Sequence, residues 1–308
     1  MQIYLPIAEL AVPAELIAGL GFVVGTLSGM FGVGGGFLAT PFLIFLGVPP
    51  TVAIATQSSQ LVGTSVSGVL SNRERGNIDA DLSLMMIGGG VAGALLGLLL
   101  FSALEYLGHF DVVARLLYII LMVVVGLVFL IEAGFKAIRK FGWFKALHPH
   151  HDKPPKPPKG SNWPYQHYFA KANLHLSVLL PVMLGMLGGI MTSLLGLGGG
   201  FILIPMMVYW LKLPHRMIAP TSLSLMLATA LVSTFLHAVL TQTIDAVLAI
   251  LLMLGSVIGV QAGTKLSTHV SPALGRLILG LILLVVAFYM VDQFTRVPQD
   301  RFNITWVK

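Results

Sequence analysis

The sequence contains no cysteine among its 308 residues, so it can form neither a disulfide nor a thiolate metal site. Charge is nearly as scarce. Only 10% of residues are Asp, Glu, Lys or Arg, where a typical soluble domain carries about 25%. Residues 16–72, 82–104, 116–131, 172–211, 217–244, 246–264 and 277–291 have none of the four. Hydrophobic residues make up 56% of the chain, and the mean hydropathy is +0.90. A spanning helix needs roughly 20 apolar residues, and most of these runs can hold one. The period-two alternation of a barrel strand is missing. These deficits exclude a soluble globular domain and predict a polytopic, all-α membrane protein.

Further absences narrow the chemistry. The opening residues MQIYLPIAEL lack the basic stretch of a cleaved signal peptide, so the first helix is expected to remain. The glycine-rich string GVGGGF does not end in Gly-Lys-Ser/Thr and is no phosphate-binding loop. No His-Glu-x-x-His helix and no Gly-x-Ser-x-Gly elbow occurs. The chain is therefore not expected to be an enzyme or to need a cofactor. No ATPase motif is present, so any transport would run on a gradient. No acid lies in the middle of an apolar run, which argues against a simple carboxylate proton relay. His237 is the one histidine well inside such a run. It is the candidate for proton or ion coupling. The plainer reading puts it near a helix end, reaching water.

The charge that is present is localised. The net charge is +6, and eight of the 18 basic residues fall between Lys136 and Lys171, with Asp152 the only acid there. This is a topology signal, since cytoplasmic loops collect Lys and Arg, and no nucleic-acid partner is expected. The stretch 145–173 contains PPKPPK, which favours an extended, solvated conformation. His148, His150 and His151 within it read as part of a flexible basic linker rather than as metal ligands.

That linker separates two halves that repeat one another. FGVGGGFLATP laid over LGLGGGFILIP pairs Gly32, Gly34, Gly35, Gly36, Phe37 and Pro41 with Gly196, Gly198, Gly199, Gly200, Phe201 and Pro205. After a one-residue offset, Pro49 and Thr56 pair with Pro214 and Thr221; NID at 77–79 then meets TID at 243–245. Gly89, Gly93 and Gly97 meet Gly255, Gly259 and Gly263. Order and spacing kept over this length make each half one structural unit.

In each half a first helix (14–31; 177–195) ends near the glycine cluster. A short apolar piece follows (35–47; 199–211), too short to span. Three fuller helices come next: 51–71, 79–104 and 112–138, then 215–241, 245–266 and 273–292. Asp79 and Asp245 look like acids at helix starts, where they would cap the positive end; direct substrate contact is the alternative. If each first helix and its short partner form a re-entrant pair, each half crosses three times and the second half is inverted. Arg73, Arg75, the basic linker, Lys212, Arg216 and Lys265 then share one side, as the positive-inside rule prefers. Five crossings per half would satisfy the rule equally. The expected layout is a first transmembrane repeat at 1–138, a cytoplasmic linker at 139–173, a second repeat at 174–295 and a tail at 296–308. Both termini are expected outside.

Inverted repeats with interrupted helices point to a transporter site at mid-depth. The glycine break frees backbone N–H groups, and the following short helix adds its positive end. Irregular backbone at that depth requires protein cover or a cavity. Thr56, Ser59, Gln60, Gly63, Thr64 and Ser67 fall on one helical face, with Gln57 and Ser58 beginning at the same level. Thr221, Ser222 and Ser224 hold the matching place. These neutral donors suit an anion that must be bound and released, although Ser and Thr also serve simply to join packed helices. Gly21, Gly25 and Gly29, like the other glycines four apart, read as close-packing faces.

The doubled GVGGGFLATP and GLGGGFILIP, each after a glycine-spaced helix and before a Thr/Ser-bearing one, resembles the sulfite exporter TauE/SafE family over most of residues 14–292. The resemblance implies a bacterial or archaeal cytoplasmic-membrane permease that moves a small sulfur-containing anion outward, such as sulfite, thiosulfate or an organosulfonate. Carried over by motif, Gly34, Gly35, Gly36, Phe37, Gly198, Gly199, Gly200 and Phe201 form the break. Thr56, Gln57, Ser59, Thr221 and Ser222 supply nearby polar ligands. The long basic linker departs from the family pattern. Alternating access around facing breaks is the expected mechanism. A passive anion channel and a membrane-embedded enzyme or scaffold are the alternatives. The expected partners are the anion and the lipid bilayer, and self-association stays open.

Overall fold

The computed structural model describes residues 2–31, 34–73, 79–140, 166–169, 174–211, 213–267 and 272–295. The tail, most of the basic linker, Arg75, Asn77 and Lys212 fall outside them. The chain opens with a hairpin, β1 (Gln2–Leu5) and β2 (Leu10–Pro13), followed by α1 (Ala14–Phe31), α2 (Gly36–Phe45), α3 (Pro50–Arg73), α4 (Ala80–Tyr106) and α5 (Phe110–Lys140). A second hairpin, β3 (Gln166–Phe169) and β4 (Leu174–Ser177), precedes α6 (Leu179–Leu195), α7 (Gly200–Tyr209), α8 (His215–Leu236), α9 (Ala246–Leu266) and α10 (Pro272–Thr295). The chain is a multi-pass membrane protein. Among the described residues, five stretches are long and apolar enough to cross a bilayer: Ala14–Phe31, Ala80–Tyr106, Phe110–Ile131, Met217–Thr241 and Ala246–Leu266.

The hairpins are the part of the repeat that side-chain identity does not reveal. Each residue of the first has a counterpart 164 residues later in the second, in the same antiparallel register. Leu5 and its counterpart Phe169 are both fully buried. Leu5 joins a cluster with Leu43, Val48, Val52, Leu248 and Leu252. Phe169 joins one with Met207, Leu213, Met217, Leu82 and Met86, the matching positions of the other half. The first cluster gathers the hairpin, the end of α2 and the starts of α1, α3 and α9 at one end of the molecule. The second gathers the end of α7 with the starts of α4, α6 and α8. The short helices therefore fold back beside the helices that precede them rather than continuing them.

Glycine faces decide which helices meet. A Cβ on Gly21 would lie 2.5 Å from the Leu252 carbonyl oxygen, and one on Gly97 2.8 Å from that of Ile190. Gly25 and Gly29 meet Ser256 and Val260 in turn, while Gly89 and Gly93 meet Val182 and Met186. The rising order of both partners makes α1 parallel to α9 and α4 parallel to α6. Each half thus lends its first helix to the other half's glycine face. Between these pairs, α3 and α8 run antiparallel: Ser58 faces Ser233 and Gly68 faces Leu223. Helix α5 packs on α10 through Gly126 and Gly280.

Caps set the entry of the glycine-faced helices, as expected from their aspartates. Asp79 accepts from the Leu82 N–H at 3.3 Å. Asp245 Oδ1 accepts from the Val247 and Leu248 N–H groups at 3.1 Å each, while Oδ2 accepts from the Ile7 N–H at 3.0 Å. Asp245 therefore joins the first hairpin to α9 as well as starting that helix.

Candidate functional site

Both glycine breaks end at the same two side chains. Gly34 (φ 73°) and Gly198 (φ 72°) are left-handed, a conformation that costs any residue with a Cβ about 1–2 kcal/mol. A Cβ on Gly198 would sit 2.9 Å from Met226 Sδ and 3.1 Å from Leu61 Cδ1. One on Gly34 would strike the end of Met226 and come 3.5 Å from Leu61 Cδ2. Leu61 on α3 and Met226 on α8 occupy equivalent places in the two halves, and both are fully buried in a small cluster with Ala230. The structure thus brings the two breaks together across an apolar plug. Gly36 packs on the Gly196 carbonyl, which completes the contact between the two turns.

The N-terminal residues of α2 and α7 flank this point. Gly35 is the N-cap of α2 and Gly199 that of α7, and neither helix start has a side-chain cap. The first N–H groups of any helix have no carbonyl within that helix. Here those of Gly36–Phe37 and of Gly200–Phe201 lie beside the break, where the Gly200 N–H donates to the Gly198 carbonyl at 2.7 Å. Phe37 is buried; the Phe201 side chain is outside the described set.

Most of the polar face expected on α3 is enclosed, with Gly63 and Ser67 half-buried. Thr56, Gln57, Ser58, Gln60 and Thr64 are all 0% exposed and Ser59 is 7% exposed. The Thr56 hydroxyl oxygen accepts from the Asp245 N–H at 3.0 Å, so it binds α3 to the start of α9. Gln57 Nε2 donates to Gln60 Oε1. Gln57 Oε1, Gln60 Nε2, Ser59 Oγ and Thr221 Oγ1 have no hydrogen-bond partner among the described residues. Ser222 is fully buried one residue beyond Thr221. A buried polar atom without a partner costs about 1–3 kcal/mol, so several such atoms on α3 and α8 beside the breaks point to a polar guest.

His237 corrects one expectation. It lies at a helix end but does not reach water: it is fully buried, where α8 passes into a single π turn, His237–Thr241. Nε2 lies 2.9 Å from the Ser193 carbonyl and so must donate to it. Nδ1 is 3.3 Å from Thr241 Oγ1, and the ring stands edge-on to Phe101 at 4.7 Å. Tyr118 on α5, an ordinary aromatic in an apolar run until the fold is seen, donates to the Leu195 carbonyl. These two side chains occupy carbonyls of the last turn of α6, groups that a helix leaves unpaired at its end. They hold the second break in place.

Residues 17–290 match the family profile described as Sulfite exporter TauE/SafE. The probable membrane transporter protein YjnA of Bacillus subtilis is 26% identical over 275 residues, which is 88% of this chain and 97% of that protein. A probable membrane transporter protein of Xylella fastidiosa is 26% identical over 283 residues, 89% of this chain and 93% of the relative. The archaeal protein MJ0441 of Methanocaldococcus jannaschii, also a probable membrane transporter, is 24% identical over 287 residues, covering 88% and 93%. No solved structure matches.

Proposed function

We propose, from the premise that this chain belongs to the sulfite exporter TauE/SafE family, that it is a secondary transporter exporting a small sulfur-containing anion through the cytoplasmic membrane. The observation that carries this reading is the closure of Gly34 and Gly198 on one Leu61–Met226 pair. Two breaks from opposite halves that meet at a removable plug are what alternating access around a central site requires. Gly35, Gly36, Phe37, Gly199, Gly200 and Phe201 supply helix starts. Gln57, Ser59, Thr221 and Ser222 supply neutral hydrogen bonds, with Thr56 anchoring the α3 end of the site. Neutral donors hold an anion without trapping it.

The helix pairings support an inverted second half. With α1 parallel to α9, α4 parallel to α6, α3 antiparallel to α8, and consecutive spans reversing, α1 and α6 run in opposite directions. The folded-back α2 and α7 then make re-entrant pairs, and each half crosses three times. Lys265 at the end of α9 falls on the side that receives the basic linker and Arg73, while Asp245 falls on the opposite side with both termini. The positive-inside rule makes the linker side cytoplasmic.

The test is sulfite efflux from proteoliposomes. Gly35→Leu would drive a side chain into Val24, and Gly199→Leu into Gly188, 2.7 Å from a Cβ. Both variants, if monodisperse, are expected to lose efflux. Wild-type rates in both would remove the breaks from the mechanism.

A further inference from the structure

The site proposed above for a small anion contains one feature that selects among anions. Gln57 and Gln60 stand one turn apart on α3, both 0% exposed and bonded head to tail through their amides. Gln57 lies against the second break: its Cβ is 3.4 Å from where a Gly196 Cβ would be. Gln60 adjoins Leu61, which touches both breaks. Two amides paired in this way leave a carbonyl oxygen at one end and an N–H₂ group at the other. Reversing both amides exchanges the residues but leaves the same two groups. Here they are Gln57 Oε1 and Gln60 Nε2, and neither has a partner among the described residues.

A fully deprotonated oxyanion can satisfy only the N–H side of this pair. It offers acceptors alone and would set a lone pair against the Gln57 oxygen. A ligand that satisfies both ends must carry acceptor oxygens and a hydroxyl in one small body. We infer that the Gln57–Gln60 pair selects hydroxyl-bearing monoanions, with hydrogen sulfite as the member that fits the family. Gln60 donates to an anionic oxygen, and Gln57 accepts from the acidic O–H. Sulfate and sulfonates, which at neutral pH have no O–H to give, leave the Gln57 oxygen buried and unpaired. This rests on the transport reading above and assigns the protonation state of its substrate.

The experiment measures sulfite efflux from proteoliposomes at one mildly acidic pH, with two competitors of single negative charge. Hydrogen selenite carries a hydroxyl and methanesulfonate does not. In the wild type, hydrogen selenite is expected to compete at a concentration roughly 5- to 150-fold lower than methanesulfonate, the range set by one unpaired buried acceptor. Gln57→Met alone frees Gln60 Oε1 as a substitute acceptor. The deciding variant is therefore the double Gln57→Met/Gln60→Met, which removes both amides with little change in volume and should shrink that gap to within about two-fold. Efflux in the wild type with no preference between the competitors overturns the assignment and leaves transport standing, as does a full gap retained in the double variant. An absence of any sulfite-dependent flux in the wild type overturns the transport reading and this one with it. If the double variant does not purify as folded protein, the wild-type ratio decides alone.

Discussion

Adjacent glycines on α4 should respond to the same substitution with opposite sign. Gly88 faces outward, and a Cβ built on it meets nothing within 4 Å among the described residues. Gly89 faces α6, where its Cβ would lie 2.9 Å from the Val182 carbonyl carbon and 3.0 Å from its Cα, closer still to the oxygen. Alanine at Gly88 keeps the helix and reduces the freedom of the unfolded backbone, a gain of roughly 0.5–1 kcal/mol. Alanine at Gly89 meets backbone, which cannot rotate away, so the two helices must separate along their whole glycine face. Forcing a methyl group into a close-packed contact costs about 1–3 kcal/mol. Helix α1 offers the same comparison: Gly19 is open, while Gly21 meets the Leu252 carbonyl oxygen at 2.5 Å. Thermal unfolding of four single variants in detergent reads the outcome, at about 2–4 °C per kcal/mol for a chain of this order of size. Gly19→Ala and Gly88→Ala should unfold at or above the wild-type temperature, and Gly21→Ala and Gly89→Ala several degrees below. If the pair on either helix shifts together in the same direction, the glycine faces are not what joins the two halves.

Truncating the plug should uncouple the breaks. Leu61→Ala with Met226→Ala is expected to raise passive anion leak in proteoliposomes, read as dissipation of a sulfite gradient, and an unchanged leak would mean the seal lies elsewhere. Asp245→Ala loses a cap and the tie to Ile7, so it should cost more than a cap alone, about 1 kcal/mol; its melting temperature against the wild type checks this. Tyr118→Phe removes the donor to the Leu195 carbonyl and should destabilise by about 1–3 kcal/mol. His237→Phe should do likewise through Ser193. Because both hold the same turn of α6, the double variant in a thermodynamic cycle should lose measurably less than the sum of the two.

The helices were legible because apolar runs and glycine punctuation bound them tightly. The first helix, expected over 14–31, is Ala14–Phe31, and the short pieces at 35–47 and 199–211 appear as ten-residue helices. The capping roles of Asp79 and Asp245 were readable because an acid at a helix start has a local cause. The partners were not. Spacing shows that Gly89, Gly93 and Gly97 form a face but carries nothing about which helix covers it. The hairpins escaped notice since QIYL and QHYF are short and share a register more than a sequence. The plug was missed because Leu61 and Met226 look like ordinary apolar residues until the repeat is laid over itself. Thr56 looked like a ligand by position, and only the fold reveals its bond to the start of α9. His237 could not be placed because nothing local encodes the Ser193 carbonyl, 44 residues away, that it reaches.

The exchange of first helices also sets a clock on biogenesis. When α1 enters the bilayer its glycine face has no partner, and α9 lies about 200 residues further along the chain. At a synthesis rate of roughly 5–20 residues per second, α1 waits on the order of 10–40 s with that face against lipid. Helix α6 has no such delay, since α4 is already in the membrane when it is made. The nascent chain therefore completes its linker-side bundle first and its terminal-side bundle last. Nonsense truncation after α8 would leave the α4–α6 pair assembled and α1 stranded, a natural mark for membrane quality control.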